Sequence, residues 1–227
     1  MSCAALVRCD PDFGSTAMTD SMVFSGQTGA FAHRNRRIGL LGGSFNPAHN
    51  GHRYISLEAI KRLGLDEVWW LVSPQNPLKS ESGMASFARR LSHARAVAQH
   101  PRIHVSTLEA EMGTRYTADT LQMLGQRYPA ARFVWLMGAD NLAQIPHWLD
   151  WSKIFHTVPI AVFARDSYDS VALSGRAAQR FRGARFPASA ARVLADAAPP
   201  AWVYLRIKPH PAAATRLRQA GQWPIEA

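Results

Sequence analysis

The sequence contains very little cysteine and no long apolar run. Of its 227 residues only Cys3 and Cys9 are cysteines, and both lie close to the N-terminus. Two such residues cannot build a disulfide framework, so the composition favours a reducing cytoplasm. No stretch approaches the roughly 20 apolar residues of a membrane-spanning helix, and no N-terminal segment resembles a secretory signal. We therefore expect a cytoplasmic protein with no membrane partner.

Acidic residues are also scarce. Sixteen Asp and Glu stand against 26 Lys and Arg, which gives a net charge of +10. Between Val171 and Arg218 there are nine basic residues and one acidic residue, Asp196, so this segment carries eight of the ten excess charges. An anionic partner, either a nucleotide or a nucleic acid, would account for such a segment, and so would a solvated basic face. Composition alone leaves both interpretations open.

The distribution of apolar residues predicts one α/β domain. In residues 1–35 the apolar residues recur at neither the spacing of a helix nor that of a strand, so this segment is predicted to be a disordered N-terminal extension. The domain is predicted over residues 36–227. The predicted strands are Ile38–Leu41, Val68–Val72, Ile103–Ser106, Phe133–Met137, Ile160–Ala164 and Val203–Ile207. The predicted helices are Gly51–Leu63, Phe87–Gln99, Ala118–Arg127, Asn141–Ile145, Gly175–Phe181 and Ala213–Ala220. Strands that alternate with helices indicate a mostly parallel sheet flanked by helices. The Ala/Pro-rich stretch Pro187–Pro200 is predicted to be a surface loop.

The most informative segment is RRIGLLGGSFNPAHNGHRYIS, residues Arg36–Ser56. A buried-looking strand runs into Gly42-Gly43, where the backbone can turn and approach a ligand without a Cβ in the way. The helix that follows begins near His49 and His52, and its first turn offers unpaired N–H groups and the positive end of the helix dipole. The segment therefore predicts an anion site.

The two histidines are three residues apart, which places both imidazoles on one face of the helix. Such a pair can donate hydrogen bonds to phosphate oxygens. It could also be half of a metal site, although no acidic or cysteine partner stands nearby, or a pair of helix caps with no further function. We favour the phosphate interpretation and expect no metal ligand among these residues.

The string GGSFNPAHNGH resembles the signature of the HxGH nucleotidyltransferase superfamily. Within it, the chain over Arg36–Arg218 resembles the nicotinate-nucleotide adenylyltransferases. Three further segments carry this narrower resemblance. They are SPQNPLK (Ser73–Lys79), RYTADTL (Arg115–Leu121) and WLMGADNLAQIPHW (Trp135–Trp148). The fold implied is the Rossmann-like nucleotidyltransferase fold.

The resemblance also implies roles for particular residues. His49, His52 and Arg218 would be catalytic. The ATP site would include these residues together with Gly42, Gly43, Ser44, Phe45, Lys79, Asp140 and Thr215. The mononucleotide site would consist of Gln75, Asn76, Thr117, Trp148 and Leu149. The residue types suit the roles, since an Asp can accept from a ribose hydroxyl and a Trp can stack on a heteroaromatic ring. Asp140 and Thr117 could also be ordinary helix caps, and Trp148 an ordinary core residue.

The sequence departs from the family pattern in two places. The C-terminal signature usually begins with serine, but here HPAAATRLR (His210–Arg218) has Ala213 at that position, so one hydroxyl donor is missing. Thr215 and Arg218 fit the pattern. The turn after the fifth predicted strand, usually Arg-Pro-Gly-Tyr, reads Arg165-Asp166-Ser167-Tyr168 and puts the loop conformation there in question.

The implied reaction is transfer of the adenylyl group of ATP to nicotinate mononucleotide, with Mg²⁺ carried by ATP and deamido-NAD and pyrophosphate as products. Three related activities are less well matched. Phosphopantetheine adenylyltransferases usually have Thr where His49 stands, cytidylyltransferases have a different C-terminal signature, and class I aminoacyl-tRNA synthetases need a Lys-rich signature. A basic nucleic-acid-binding protein should show aromatic residues interleaved in the basic segment, but Val171–Arg192 contains only Phe181 and Phe186. We therefore expect no nucleic-acid partner.

Overall fold

The computed structural model describes residues 33–74, 84–164, 169–208, 210, 214–221 and 223. The strands in these ranges are β1 Arg37–Gly43, β2 Glu67–Val72, β3 Ile103–Ser106, β4 Arg132–Gly138, β5 Ile160–Ala164, β6 Arg185–Phe186 and β7 Trp202–Arg206. The α-helices are α1 Asn50–Leu63, α2 Phe87–Ala98, α3 Leu108–Glu111, α4 Thr117–Arg127, α5 Ala139–Gln144, α6 Trp151–Thr157, α7 Asp169–Ser174, α8 Arg176–Arg180 and α9 Ala214–Gln219. Ile145–His147, Arg182–Ala184 and Ala188–Asp196 form 3₁₀ helices. In the described ranges, every helix is too short or too polar to span a bilayer.

The seven strands form one sheet in the order β3-β2-β1-β4-β5-β7-β6, and every pairing between neighbours is parallel. The prediction of a parallel sheet flanked by helices is therefore confirmed. The chain order reverses between β1 and β4, which lie side by side at the centre. In such sheets the crevice outside the carboxyl ends of the strands at this reversal is where ligands bind. The signature segment leaves the sheet at this point, from the end of β1.

Helices cover both faces of the sheet. Because successive side chains of a strand point to opposite faces, the strands contribute to two separate cores. The first core contains Ile38, Leu40, Trp135 and Val162 from the strands, with Leu121 and Leu124 from α4 and Phe155 from α6. The second core contains Leu41, Trp70, Val134 and Phe163, with Ile55 and Leu63 from α1, Ala94 from α2 and Leu194 from the last 3₁₀ helix. Strands buried on both faces explain the nearly continuous apolar runs in the sequence.

The prediction of a surface loop over Pro187–Pro200 is wrong. Ala188–Asp196 is a 3₁₀ helix that buries Ala191, Leu194 and Ala195 in the second core. The prolines lie at its ends, and its short alanine side chains made the apolar face inconspicuous. At its last residue, the Asp196 carboxylate pairs with Arg37 at 2.6 Å and with Arg132. Short elements such as α3, α6, α7 and β6 were also absent from the predicted elements.

The domain begins earlier than the predicted boundary at residue 36. His33 is only 5% exposed, and its ring packs edge-on against Trp69 at 5.0 Å and Tyr128 at 5.9 Å. The Asn35 N–H donates to the Ala130 carbonyl at 2.7 Å. Residues 33–35 therefore belong to the domain. The rest of the predicted extension, residues 1–32, lies outside the described residues.

His33 is part of a buried polar cluster around Glu67, at the start of β2. The Glu67 carboxylate accepts from Trp69 Nε1 at 3.2 Å and lies 3.0 Å from His33 Nδ1, 3.2 Å from His104 Nε2 and 3.7 Å from Arg36 Nη2. Burial alone would raise the pKa of this carboxyl. The hydrogen bond with His104 and the charges of His104, Arg36 and His33 outweigh burial and hold the pKa below its usual range.

We expect Glu67→Gln to lower the free energy of unfolding at pH 7 by about 1.5–3 kcal/mol, because charge-assisted hydrogen bonds are lost. A carboxyl with a lower pKa in the folded state stabilises the fold above its unfolded pKa. That contribution disappears as the pH falls through the folded pKa. The difference between wild type and variant should therefore shrink below the ordinary value of 4.5. Urea denaturation at pH 7, 5 and 4 measures it, and an equal loss at all three pH values would contradict this account of the cluster.

Candidate active site

The site lies at the carboxyl ends of β1, β2 and β4. The ends of β1 and β2 are joined by a hydrogen bond from the Ser73 N–H to the Gly43 carbonyl at 3.0 Å. Asp140 lies two residues after the end of β4, half-buried, in the first turn of α5. The N-cap of α5 is Gly138, and no side chain in the described part of the chain caps this helix. The capping role left open for Asp140 is thus not observed.

Packing within the sheet accounts for one of the two glycines of the signature segment. A Cβ on Gly42 would lie 2.4 Å from the ring of Trp135, so this glycine is required by packing against the neighbouring strand β4. A Cβ on Gly43 would make only ordinary contact with the Phe45 ring, at 3.7 Å. The residue that turns the chain is Phe45, whose φ is +46°. A left-handed backbone is uncommon for a bulky side chain and must be held by its surroundings.

The two histidines form a reciprocal cap at the start of α1. His49 is the N-cap, and its Nδ1 accepts from the Gly51 N–H at 3.1 Å. His52 reaches back, and its Nδ1 accepts from the His49 N–H at 3.1 Å. The ring centroids are 3.9 Å apart. The capping interpretation left open in the sequence is therefore correct for the Nδ1 atoms.

The caps have a chemical consequence for the other ring nitrogens. A nitrogen that accepts a hydrogen bond carries no proton, so each neutral imidazole holds its proton on Nε2. Both Nε2 atoms are therefore donors. The first turn of α1 contains no acidic residue, so the positive end of its dipole is not neutralised there. The arrangement suits an anion beside the two rings.

Aromatic packing holds the His52 ring in place. The Phe45 ring lies 4.8 Å from the His52 ring and stacks on Trp70 at 5.1 Å. Trp70 Nε1 donates to Ser56 Oγ at 2.8 Å, and Ser56 Oγ donates to the His52 carbonyl at 2.9 Å. Phe45, predicted to bind ATP, is buried behind His52 and supports its ring.

A buried arginine that was not among the predicted site residues joins the loops of the site. Arg90 in α2 is 1% exposed, and burial lowers the pKa of its guanidinium. The guanidinium donates to the carbonyls of Ser44 at 2.7 Å, Ser73 at 2.7 Å, Pro74 at 2.8 Å and Ala85 at 3.0 Å. The spacing of Arg90 with the buried Ala94 and Ala98 is the one signal in the sequence that places it on the inner face of α2.

The C-terminal helix α9 reaches the signature segment. Arg218 Nη1 donates to the Asn46 carbonyl at 2.6 Å, and Arg218 Nη2 donates to Thr215 Oγ1 at 3.4 Å. Arg218 is 172 positions from Asn46 in the sequence. The fold nevertheless brings Arg218, together with its neighbour Thr215, to the loop that carries the histidines. Ala213, Gln75, Asn76, Lys79 and the turn Arg165-Asp166-Ser167-Tyr168 lie outside the described residues.

The predicted mononucleotide residues lie on neighbouring elements. Thr117 is the first residue of α4, and the preceding Tyr116, with an extended backbone and no side-chain cap, is the N-cap. The role of Thr117 as an ordinary N-cap is therefore wrong. Trp148 is half-buried against the first core, and Leu149 is 55% exposed. Both precede α6, and α6 packs against α4.

Several arginines of the basic segment lie over aromatic rings. The Arg180 guanidinium is 5.7 Å from the Trp151 ring and 5.8 Å from the Phe181 ring, and the Arg185 guanidinium is 5.3 Å from the ring of the buried Trp202. These cation–π contacts give part of the basic segment a structural role at the core surface.

Similarity to known proteins identifies the family. The cytidylyltransferase-like family model matches residues 40–218. A Parvibaculum lavamentivorans protein named "Probable nicotinate-nucleotide adenylyltransferase" is 51% identical over 189 residues, or 83% of this chain and 94% of the relative. A Bradyrhizobium protein of the same name is 55% identical over 169 residues, or 74% of this chain and 88% of the relative. The chain belongs to the nicotinate-nucleotide adenylyltransferase family. It is therefore a nucleotidyltransferase, and the resemblance in the sequence is confirmed.

Solved structures agree with this fold. The Plasmodium falciparum nicotinic acid mononucleotide adenylyltransferase complexed with NaAD has a TM-score of 0.60 at 16% identity, over 81% of this chain and 83% of that one. The structure complexed with APC has a TM-score of 0.58 at 15% identity, with the same coverage. At such identities the likeness concerns the fold, which is the Rossmann-like nucleotidyltransferase fold expected from the signature.

One further residue of this adenylyltransferase-family domain was absent from the predicted site. Glu109 in α3 is 8% exposed and lies next to Ser73, the residue that follows β2. Burial raises the pKa of its carboxyl to about 7, although a hydrogen bond with Ser73 opposes the rise. This burial could not be predicted from the sequence, because α3 is only four residues long and contains two acidic side chains.

Glu109 should make the stability fall as the pH rises. Between the ordinary value of 4.5 and about 7 the folded state holds a proton that the unfolded state has lost. The free energy of unfolding therefore decreases with pH by at most about 1.4 kcal/mol per pH unit and levels off above this window. Glu109→Gln should abolish this component, whereas Glu111→Gln, at an exposed position of the same helix, should retain it. Urea denaturation from pH 5 to 8 measures the slopes, and identical slopes in wild type and Glu109→Gln would contradict the assignment.

Proposed function

We propose that the chain transfers the adenylyl group of ATP to nicotinate mononucleotide, giving deamido-NAD and pyrophosphate. The observation that carries the proposal is the pair of capped histidines, His49 and His52. Their Nε2 donors are fixed at the start of α1, and Arg218 is bound to the same loop. The names of the relatives, which share about half of their residues with this chain, support nicotinate mononucleotide as the acceptor.

In the proposed reaction a phosphate oxygen of nicotinate mononucleotide attacks the α-phosphorus of ATP. A new P–O bond forms, the bond between the α-phosphorus and the bridging oxygen breaks, and pyrophosphate leaves with the electron pair. A phosphate monoester is ionised near neutrality, so the nucleophile needs no general base. The work of the protein is to align two polyanions and to stabilise the charge that develops in the transition state.

The predicted site residues suit this task. The Nε2 donors of His49 and His52 would bind the α-phosphate and its bridging oxygen. Arg218 would neutralise the leaving phosphates, and Lys79 is proposed to assist it. The remaining ATP contacts would come from the backbone at Gly42, Gly43 and Ser44, from Thr215, and from Asp140 as an acceptor for a ribose hydroxyl.

Mg²⁺ is proposed to enter with ATP, as part of that substrate. In the ranges that the structure describes, no group of three or more His, Cys, Asp or Glu side chains could hold a metal ion. The oxygens of the triphosphate are the ligands that Mg²⁺ prefers, together with water. The protein residues then act on the phosphates, and the bound ion lowers the charge of the polyphosphate.

The nicotinate ring is proposed to lie between the start of α4 and the segment before α6. Trp148 would stack on the ring, and backbone N–H groups at Thr117 and Leu149 would donate to its carboxylate. Among the residues that the structure describes, no side chain caps the first turn of α4, so its N–H groups could bind an anion. Gln75 and Asn76 are proposed to contact the mononucleotide from the segment after β2.

We expect the acid to be preferred over the amide. Nicotinamide mononucleotide presents an NH₂ group where the acid presents a second acceptor oxygen, so donors of the pocket would remain unpaired. Losing two charge-assisted hydrogen bonds should lower kcat/KM by about 10²–10³. Steady-state release of pyrophosphate from ATP with each mononucleotide measures the ratio. Phosphopantetheine is the negative control for the family assignment. Comparable kcat/KM values for the two mononucleotides would contradict the proposed ring pocket.

A further inference from the structure

A tryptophan beyond the C-terminal helix contacts the signature segment. Trp223 lies five residues past the end of the family match at residue 218, yet it is only 7% exposed. Its ring lies 4.7 Å from the His93 ring, and the Arg89 guanidinium lies 4.6 Å from its centroid. Both partners belong to α2, the helix that also carries Arg90. Trp223 therefore packs against α2 through these two side chains.

The indole of Trp223 and the guanidinium of Arg218 bind the same residue. Trp223 Nε1 donates to the Asn46 side-chain oxygen at 2.7 Å, and Arg218 Nη1 donates to the Asn46 backbone carbonyl at 2.6 Å. The Ala85 N–H also donates to the Asn46 side-chain oxygen, at 3.2 Å. Asn46 thus fixes the C-terminal segment to the signature loop at two points, three residues before His49.

An isolated helix of six residues is not stable in water, so α9 depends on tertiary contacts for its position. Arg218 lies in its last turn, and the long side chain loses considerable rotamer freedom when it is held on the loop. A buried indole four residues after the end of the helix limits where that side chain can go. The contact also has a purely structural alternative, in which Trp223 only covers the surface of α2 formed by Arg89 and His93.

We infer that Trp223 is a positioning residue, which acts through Asn46 to hold Arg218 where it can contact the phosphates of ATP. The inference rests on the proposed function in one respect, the contact of Arg218 with ATP. It does not depend on which mononucleotide is the acceptor.

A double-mutant cycle separates the two roles of Trp223. Trp223→Phe keeps a ring between Arg89 and His93 but removes the indole N–H. In the wild-type background it should weaken the binding of a non-hydrolysable ATP analogue about five- to tenfold, as expected for one lost hydrogen bond. In the Arg218→Ala background the same change should cost less than about twofold, because the residue through which it acts is gone.

The readouts are the equilibrium Kd of the analogue, measured by calorimetry, and the kcat and KM for ATP. Thermal unfolding of all four proteins tests whether each is folded. Arg95→Ala, at an exposed position of α2, is the control expected to bind like wild type. Equal losses in both backgrounds, or no loss in the wild-type background, would overturn the inference. The cycle could show the coupling in analogue binding while the wild-type protein shows no turnover with nicotinate mononucleotide. That outcome would refute the proposed acceptor and leave the role of Trp223 supported.

Discussion

The geometry of the site depends on the buried guanidinium of Arg90. It donates to four backbone carbonyls, those of Ser44, Ser73, Pro74 and Ala85, which belong to the segments after β1 and β2 and before α2. A buried cation is tolerated only when its donors are satisfied, so these carbonyls must converge on one point. Removing the guanidinium would leave several carbonyls unpaired, and a smaller cation could not bridge all of them. The loops at the carboxyl edge of the sheet are thus fixed relative to one another before any nucleotide binds.

By holding the Ser44 carbonyl, Arg90 also constrains the signature segment that carries His49 and His52. Phe45 is held in a left-handed conformation directly after the Ser44 carbonyl, and its ring supports His52. The reciprocal caps of His49 and His52 then decide which ring nitrogens carry protons. Capping and phosphate binding are compatible because they use opposite nitrogens of each ring. Such fixed donors need little reorganisation when charge develops, which is the feature that electrostatic catalysis requires.

The sequence predicted the strands best, since their apolar runs are long and buried on both faces; the bounds of β3 and β5 matched their predictions. The His pair was identified because its chemistry is local to one helix turn. Arg90 and Trp223 were missed because their partners are distant in sequence and are mainly backbone or amide groups, which leave no pattern. The 3₁₀ helix Ala188–Asp196 and the buried His33 were misassigned for a related reason, because short alanine-rich or polar stretches acquire their apolar contacts only from the tertiary fold.

The most direct test of the central claim separates the two nitrogens of His52. Asn can supply an acceptor at the position of Nδ1 but has no atom at the position of Nε2, whereas Gln can supply a donor near Nε2 but no cap. His52→Asn should therefore fold like wild type and lose about 10²–10³ in kcat for pyrophosphate release, and His52→Gln should be less stable but retain much more of its turnover. A folded His52→Asn variant with near-normal kcat would contradict the account, because the Nε2 donor would then have no part in the reaction.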